Sequence, residues 1–270
     1  MSPPPDAATG FCADGVDQET FGLLPSVPPT NVMASDEANI EITEIDRVEV
    51  AVEPWSWEFS NSRRQEIDRN FARRAGEVSG IWNGRVLLLH RYAVRDRVLQ
   101  GACFETDYAS FLAWRDWGFP GTGVFNVFAS AALQAADGAF LLGEMGPSTA
   151  SAGSVYFPCG TPDLEDISAE GSLDLDGSVS RELLEETGLE IGALAAQPGW
   201  TMVHDRGFMG LMKRVTSPLN SKEFRDQIMR NLASQARPEF CDIHIVRRRA
   251  DLDHRMPGFV IAYLEGAWRG

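Results

Sequence analysis

The sequence predicts an α+β fold, because stretches that alternate like β-strands are interspersed with stretches of helical periodicity. Two apolar runs flank Asp137-Gly138, a strong signal for a β-hairpin. Segment 180–192, SRELLEETGLEIG, instead has the residues of an amphipathic helix, with a stop at Gly188. We therefore expect both a hairpin and a long helix in the second half of the chain.

The first half of the chain is predicted to contain an arm and an α/β extension. Residues 1–40 are rich in Pro, Ala, Asp and Ser without a periodic apolar pattern, so we expect a flexible arm that is dispensable for folding. Residues 41–121 read as a strand, a helix that ends at Gly76, and a pair of strands. A short helix capped by Thr106 or Asp107 completes this extension.

Residues 122–270 are predicted to form the second domain. The hairpin is followed by a strand that ends in a turn, a long polar loop, and the helix that ends at Gly188. Further strand sequence precedes a helix that begins with a capping box of Asn220 and Glu223. A last strand and a terminal segment complete the chain.

The composition excludes some classes of partner. The 270 residues include 24 basic and 39 acidic side chains, a net charge of −15, and 44% of the residues are hydrophobic. This hydrophobic content is ordinary for a globular protein. Proteins that bind nucleic acid carry basic surfaces, so no nucleic-acid partner is expected. A small phosphorylated ligand is still compatible, because a bound divalent cation can invert the local field.

The cysteines and the apolar runs indicate a reducing compartment and no membrane partner. The four cysteines, Cys12, Cys103, Cys159 and Cys241, are widely separated and form no Cys-x-x-Cys pair. This spacing argues against a disulfide framework and against a structural zinc site. The sequence shows no signal peptide and no apolar run of about 18 residues. We therefore expect a cytoplasmic protein.

Three glutamates, Glu182, Glu185 and Glu186, lie within one turn of the predicted helix. They occupy an arc of roughly 100°, where like charges repel by a few tenths of a kcal/mol per pair. Such a set of carboxylates suits a hard divalent cation such as Mg²⁺, and the adjacent Arg181 could pair with Glu182 and keep it ionised and oriented. The alternative is a solvated helix face, because Leu and Glu are good helix formers.

The same stretch matches each fixed position of the second half of the Nudix signature, Arg-Glu-apolar-x-Glu-Glu-x-Gly-apolar. The matching residues are Arg181, Glu182, Leu183, Glu185, Glu186, Gly188 and Leu189. Upstream, VYFPCG resembles the strand and turn that open the signature, and the Asp137-Gly138 hairpin lies where this family has its own. The chain from about residue 122 onward therefore resembles a Nudix hydrolase. The resemblance implies an α/β/α sandwich with a mixed sheet, here with an N-terminal α/β extension.

The first half of the signature departs from the family pattern, in which a Gly, five residues, a Glu and seven residues precede the Arg. Counting back from Arg181 finds apolar residues at the Gly and Glu positions. If Gly160 is the opening glycine, the loop is seven residues too long, and the nearest acids, Glu165 and Glu170, are out of register. We expect an enlarged loop with an intact metal site. The alternative is a degenerate motif with weakened chemistry.

The resemblance implies attack of water on a phosphorus of a nucleoside diphosphate linked to another group, X. The products would be a nucleoside monophosphate and phosphorylated X, and the cofactor Mg²⁺, with Mn²⁺ as a substitute. The implied catalytic residues are Glu182, Arg181 and Glu185. The implied metal ligands are Glu182, Glu185 and Glu186, the backbone carbonyl of Cys159 or Gly160, and Glu239 from a downstream loop. An ordinary loop glutamate is the alternative at position 239.

The extension bears on the substrate. A strand pair followed by a Tyr-containing helix loosely resembles the region before the core in members that cleave UDP-glucose or UDP-galactose. A UDP-sugar is thus one candidate, although an ordinary packing extension explains the same residues. The expected partner is a nucleoside diphosphate derivative, and the sequence leaves the oligomeric state open, a dimer included. The rival function is a Nudix-fold module that binds or senses a nucleotide with little or no catalysis.

Overall fold

The computed structural model describes residues 40–78 and 81–269 of the chain. The predicted arm, residues 1–40, lies outside the described residues except for its last position. The strands are β1 (Glu41–Ile45), β2 (Arg47–Val52), β3 (Arg85–Arg95), β4 (Val98–Asp107), β5 (Asn126–Gln134), β6 (Phe140–Met145), β7 (Val155–Tyr156), β8 (Cys159–Gly160), β9 (Ala195–Ala196), β10 (Trp200–Asp205), β11 (Phe208–Thr216) and β12 (Phe240–Val246). The helices are α1 (Glu58–Ser62), α2 (Arg64–Glu77), α3 (Tyr108–Asp116), α4 (Leu175–Thr187), α5 (Ser221–Ser234) and α6 (Gly258–Ala267).

The larger sheet has the strand order β1-β10-β11-β5-β6-β12, with the short strands β7, β8 and β9 paired to β6, β5 and β11. Strand β11 runs parallel to β5, whereas β10 runs antiparallel to both β1 and β11, and β12 antiparallel to β6. Helices α4 and α5 pack on β5, β8 and β12, and α6 packs on β10 and β1. The predicted α+β class with a mixed sheet is confirmed.

The hairpin at Asp137-Gly138 forms as predicted and creates the place where β8 binds. Gly138 has a φ of +81°, which glycine adopts without steric cost. Strands β5 and β6 pair next to the turn, at Leu133–Leu141 and Gln134–Phe140. Farther along, β8 pairs with β5 and β7 pairs with β6, so the two hairpin strands separate around segment 155–160. This arrangement places Cys159 and Gly160 within the sheet.

A second sheet of three strands has the order β2-β4-β3. The predicted strand pair is confirmed: β3 runs antiparallel to β4, and β2 runs parallel to β4 on its other side. Helix α3 begins after Asp107, whose side chain accepts a hydrogen bond of 2.9 Å from the Ser110 amide, as predicted for the N-cap. The predicted helix end at Gly76 is wrong, because α2 continues to Glu77 and the Val78 amide bonds the carbonyl of Arg74.

The two sheets share buried apolar side chains. Strand β1 precedes the smaller sheet in the chain but pairs with β10 in the larger one. One cluster of buried residues includes Leu87 and Leu89 of β3 together with Val179 and Leu183 of α4. Positive φ angles at Gly118, Gly121 and Gly123 mark the connection between the predicted domains. The division at residue 121 stays a prediction.

The C-terminal part of the chain follows the predicted order. Asn220 caps α5 and accepts hydrogen bonds from the amides of Lys222 and Glu223. The predicted last strand is β12, and the terminal segment is the helix α6. Within residues 40–78 and 81–269, none of the helices is both long enough and apolar enough to cross a bilayer.

Candidate active site

Helix α4 carries the motif, and its own residues determine where it begins and ends. The Asp174 side chain caps the N-terminus by accepting a 2.9 Å hydrogen bond from the Gly177 amide. Gly188 ends the helix with a φ of +68°, and its amide bonds the carbonyl of Leu184. The apolar side chains of Val179 and Leu183 are fully buried against the sheet. Because these residues fix the rotation of α4, they also fix the direction of its glutamates.

Glu182 and Glu186 lie on the buried side of α4, where acidic side chains are rare. The Glu186 carboxylate accepts a 2.9 Å hydrogen bond from the backbone amide of Cys159. A side chain at Gly160 would overlap the Glu182 carboxylate, so the glycine leaves the space that this carboxylate occupies against β8. The structure therefore brings together four of the predicted site residues, two from α4 and two from β8.

Arg181 connects the carboxylates of the helix to the loop that precedes it. Its guanidinium lies 2.9 Å from Glu182 Oε1 and 3.5 Å from Glu185 Oε2. One nitrogen of the same group, Nη2, donates to both oxygens of Asp166, at 3.1 and 2.9 Å, in a charge-assisted hydrogen bond. Glu185 is half-exposed and lies on the outer side of this cluster.

Asp166 is the residue that the sequence analysis missed. It is only 3% exposed, and it is the acid that contacts Arg181, in place of Glu165 and Glu170, the two substitutes considered. Five residues separate it from Gly160, as the family pattern requires between the glycine and the acid, with Asp in place of Glu. Counting forward from the glycine instead of backward from Arg181 finds it. The seven extra residues therefore lie between this acid and the arginine.

Burial and like charges determine the electrostatics of the cluster. Burial raises the pKa of Glu182 to about 8, against the opposing effect of Arg181, and the charges of Glu185, Glu239 and Asp166 add to the rise. Burial also raises the pKa of Glu185 and of Asp166, with Arg181 again opposing. Although burial disfavours its charge, these carboxylates raise the pKa of Arg181. The cluster thus has more negative charge than one arginine neutralises.

The remaining predicted residue, Glu239, influences this cluster through its charge. It directly precedes β12, and its backbone carbonyl accepts a 2.7 Å hydrogen bond from the amide of Gly146. Its charge contributes to the raised pKa of Glu182 and of Cys159. Its position before β12 makes Glu239 a member of the same electrostatic group as the glutamates of α4.

The oxygen atoms of the cluster are of the kind that bind a hard divalent cation. All the side-chain donors are carboxylates, and the carbonyls of Cys159 and Gly160 belong to the strand against which Glu182 and Glu186 pack. In the part of the chain that the structure describes, no three His, Cys, Asp or Glu side chains are already arranged around a common metal position. The carboxylates contact Arg181 and the backbone of β8 instead. The observation that fits a cation is the excess of carboxylates over the one arginine that contacts them.

Comparison with known proteins gives likeness only at the level of structure. No protein-family model and no curated protein matches the chain. The Nudix hydrolase RenU from M. smegmatis is 15% identical, with a TM-score of 0.34 over 54% of this chain and 89% of its own. The Nudix domain of Shewanella oneidensis NrtR, complexed with ADP ribose, is 20% identical, with a TM-score of 0.32 over 61% and 97%. Both TM-scores lie below 0.5, so these likenesses carry no argument about function.

Proposed function

We propose that this protein is a Nudix pyrophosphohydrolase, which cleaves a nucleoside diphosphate linked to another group in a reaction that depends on Mg²⁺ or Mn²⁺. The observation that carries the proposal is the pair of buried carboxylates, Glu182 and Glu186, held against Cys159 and Gly160. A structural helix gains nothing from buried like charges, since burying a charge costs free energy unless a cation compensates it. The Nudix pattern on α4 names the reaction that such a cluster would serve.

Each residue of the cluster has a distinct task in this proposal. Glu182, Glu185 and Glu186 would hold the cation, with a carbonyl of Cys159 or Gly160 and with Glu239. The bound cation would neutralise diphosphate oxygens and lower the pKa of the attacking water. Arg181 keeps Glu182 and Glu185 in place before substrate arrives, and the hydrogen bond to the Cys159 amide orients Glu186.

Proton transfer is the task that the proposal gives to Glu182. Burial raises the pKa of Glu182 to about 8 when no cation is bound, and a cation bound beside it would lower that pKa. A general base works best when its pKa lies near the working pH. Glu182 is held at 2.9 Å by Arg181, so its direction is fixed as a base requires.

The proposed substrate class is a nucleoside diphosphate derivative, and a UDP-sugar is the finer candidate. The candidate rests on the arrangement of β3, β4 and α3 alone. Tyr108, the tyrosine of α3, is 1% exposed and packs among apolar side chains of the smaller sheet. Its ring is therefore part of the core of the extension, and substrate choice has to be measured.

The test is a hydrolysis panel of UDP-sugars, ADP-ribose, dinucleotides and nucleoside triphosphates, with Mg²⁺, with Mn²⁺ and with EDTA. We expect release of a nucleoside monophosphate from at least one diphosphate derivative, and no release in EDTA. A flat response across the panel would contradict the proposal. If calorimetry then showed tight nucleotide binding without turnover, the binding module would be the better description.

A further inference from the structure

The seven extra residues of the loop form a small hairpin of their own. It runs from Ile167 to Leu173, which form a β-bridge, and the Ser168 amide bonds the carbonyl of Ser172 at 2.8 Å. The chain reverses at Gly171, whose φ is +78°. The hairpin also closes at its base, because the amide of residue 174 donates to the carbonyl of residue 166 at 2.8 Å. The insertion is thus an ordered hairpin, and the two residues that flank it are hydrogen-bonded to each other.

This hairpin adds to the free edge of β2. The amide of Val52 donates to the carbonyl of Gly171 at 3.0 Å, and the amide of Leu173 donates to the carbonyl of Val50 at 2.8 Å. Ala51 and Ser172 form the antiparallel bridge between these two bonds. Since the other edge of β2 pairs with β4, the hairpin acts as a further strand of the three-stranded sheet.

The base of the hairpin holds the acid that fixes Arg181. Asp166 is buried, and its carboxylate also accepts a 3.0 Å hydrogen bond from the Asp163 amide. Its carbonyl is bonded to the end of the hairpin, so the backbone of Asp166 is fixed from both sides. A continuous set of hydrogen bonds therefore runs from β2 through the hairpin and Asp166 to Arg181, and an ion pair links Arg181 to Glu182.

We propose that the Ile167–Leu173 hairpin is a brace through which the smaller sheet positions Arg181 and the carboxylates of α4. Asp166 is then a positioning residue, and the bond between Val52 and Gly171 is part of the same device. The inference rests on the proposed function for its effect on catalysis. The physical basis is that partners behind the ligating residues orient them, and losing such partners weakens metal binding or activity by about tenfold or more.

The test compares two substitutions at one position. Val52→Pro removes the amide that bonds Gly171 and leaves the bonds of β2 to β4, whereas Val52→Ala shortens the side chain and keeps the amide. Both variants are to be made in the full chain, and thermal unfolding is to be used to check that each one folds. We expect Val52→Pro to weaken Mn²⁺ binding by about tenfold in electron paramagnetic resonance titrations and to lower kcat by about tenfold with KM unchanged. Val52→Ala should match the wild type in both, and equal effects of the two variants would overturn the proposal.

A double-mutant cycle separates positioning from general damage. Asp166→Asn removes the charge that holds Arg181, and in that background Val52→Pro should cause no further loss of Mn²⁺ affinity. Additive losses would mean that the hairpin acts by another route and would overturn the proposal. Asp166→Glu should recover most of the affinity, since it restores the carboxylate. Glu170→Ala, at the exposed tip of the hairpin, is the control and should leave the affinity unchanged.

A third measurement keeps this inference separate from the proposed function. The ion pair with Asp166 should slow rotation of the Arg181 guanidinium, which ¹⁵N relaxation of that side chain reports without metal or substrate. Excision of residues 167–173 joins Asp166 to Asp174, which are already hydrogen-bonded through their backbones. Both this deletion and Val52→Pro should speed the rotation. A wild type that neither binds Mn²⁺ nor hydrolyses the panel would overturn the proposed function alone. Unchanged rotation in both variants would overturn the brace alone.

Discussion

Helices α2 and α4 both carry many charged residues, and they use them in opposite ways. On α2, Arg64 pairs with Asp68 and Arg73 with Glu77, one turn apart and largely in solvent. Such pairs contribute little to stability. On α4, Glu182 and Glu186 turn inward, and Arg181 pairs with Glu182 and with the half-exposed Glu185. The difference shows that charge on α2 serves solubility and helix formation, whereas charge on α4 is retained at a cost in stability.

The largest expected effect is on activity. Glu186→Gln keeps an oxygen that can accept from the Cys159 amide but removes a charge that a cation needs. We expect hydrolysis to fall by several orders of magnitude, while stability without metal holds or rises slightly because like charges are relieved. Glu182→Gln should be comparably damaging. The measurement is kcat/KM on the best substrate of the panel together with thermal unfolding in EDTA.

The matched control for this comparison is Glu190→Gln. Glu190 is exposed and lies beyond the helix stop at Gly188, so the substitution is the same in type and differs in position. Its activity should match the wild type. Equal, small effects at Glu186 and Glu190 would reduce the motif to an ordinary helix end.

The next effect in size is on stability. Arg181→Met leaves Asp166 and Glu182 buried without a cation, and breaking a buried pair costs about 3 kcal/mol. We expect urea unfolding to show a loss of that order in EDTA. Adding Asp166→Asn to Arg181→Met should recover part of the stability, because one uncompensated charge is removed. A double variant less stable than Arg181→Met would contradict this account of the cluster.

The pH dependence of stability sharpens the same contrast. The pKa of Glu182 is about 8 in the folded protein against an ordinary 4.5, so the folded state holds a proton that the unfolded state has released. Without metal, the free energy of unfolding should therefore fall as pH rises from about 4.5 to about 8, because ionisation of Glu182 favours the unfolded chain. Urea midpoints at pH 5 and pH 8 in EDTA measure this fall, and Glu182→Gln should make it shallower. Stability that rises over this range because of Glu182 would show that the charge is already compensated.

The parts of the site that the sequence predicted are those that depend on local spacing. Glu182 and Glu186 lie one turn apart on a helix with recognisable ends, so their shared face follows from helical geometry. The sequence did not predict Asp166, because an insertion of seven residues separates it from Arg181. A search at the family's fixed spacing from the arginine therefore does not find it. The contribution of Glu239 likewise depends on tertiary packing.

The fold shows the same division between local and non-local information. The hairpin at Asp137-Gly138 and the caps Asp107 and Asn220 were predicted from local residue chemistry. The pairing of β1 with β10 joins segments about 160 residues apart, which no periodicity reveals. A short apolar run such as the terminal segment suits a strand or a buried helix equally, and the structure shows that it forms α6.

The smallest expected effect is on α2, at Glu77. Its carboxylate lies 2.6 Å from the Arg73 guanidinium and 3.3 Å from that of Arg74. The side chains of Glu77 and Arg73 are about half exposed, whereas that of Arg74 is mostly buried. The hydrogen bond from Arg73 lowers the pKa of Glu77, so any stabilisation is present above the ordinary pKa of 4.5 and is lost as pH falls below it.

Water and salt screen this interaction, so Glu77→Gln should leave the urea midpoint at pH 7 unchanged, at low and at high ionic strength. Helix α2 should thus tolerate the loss of a well-formed ion pair, while α4 does not tolerate the loss of Arg181. If Glu77→Gln destabilised the protein as much as Arg181→Met, the geometry of an ion pair alone would determine how much stability is lost when the pair is removed. Burial would then not be what distinguishes the charges of the two helices.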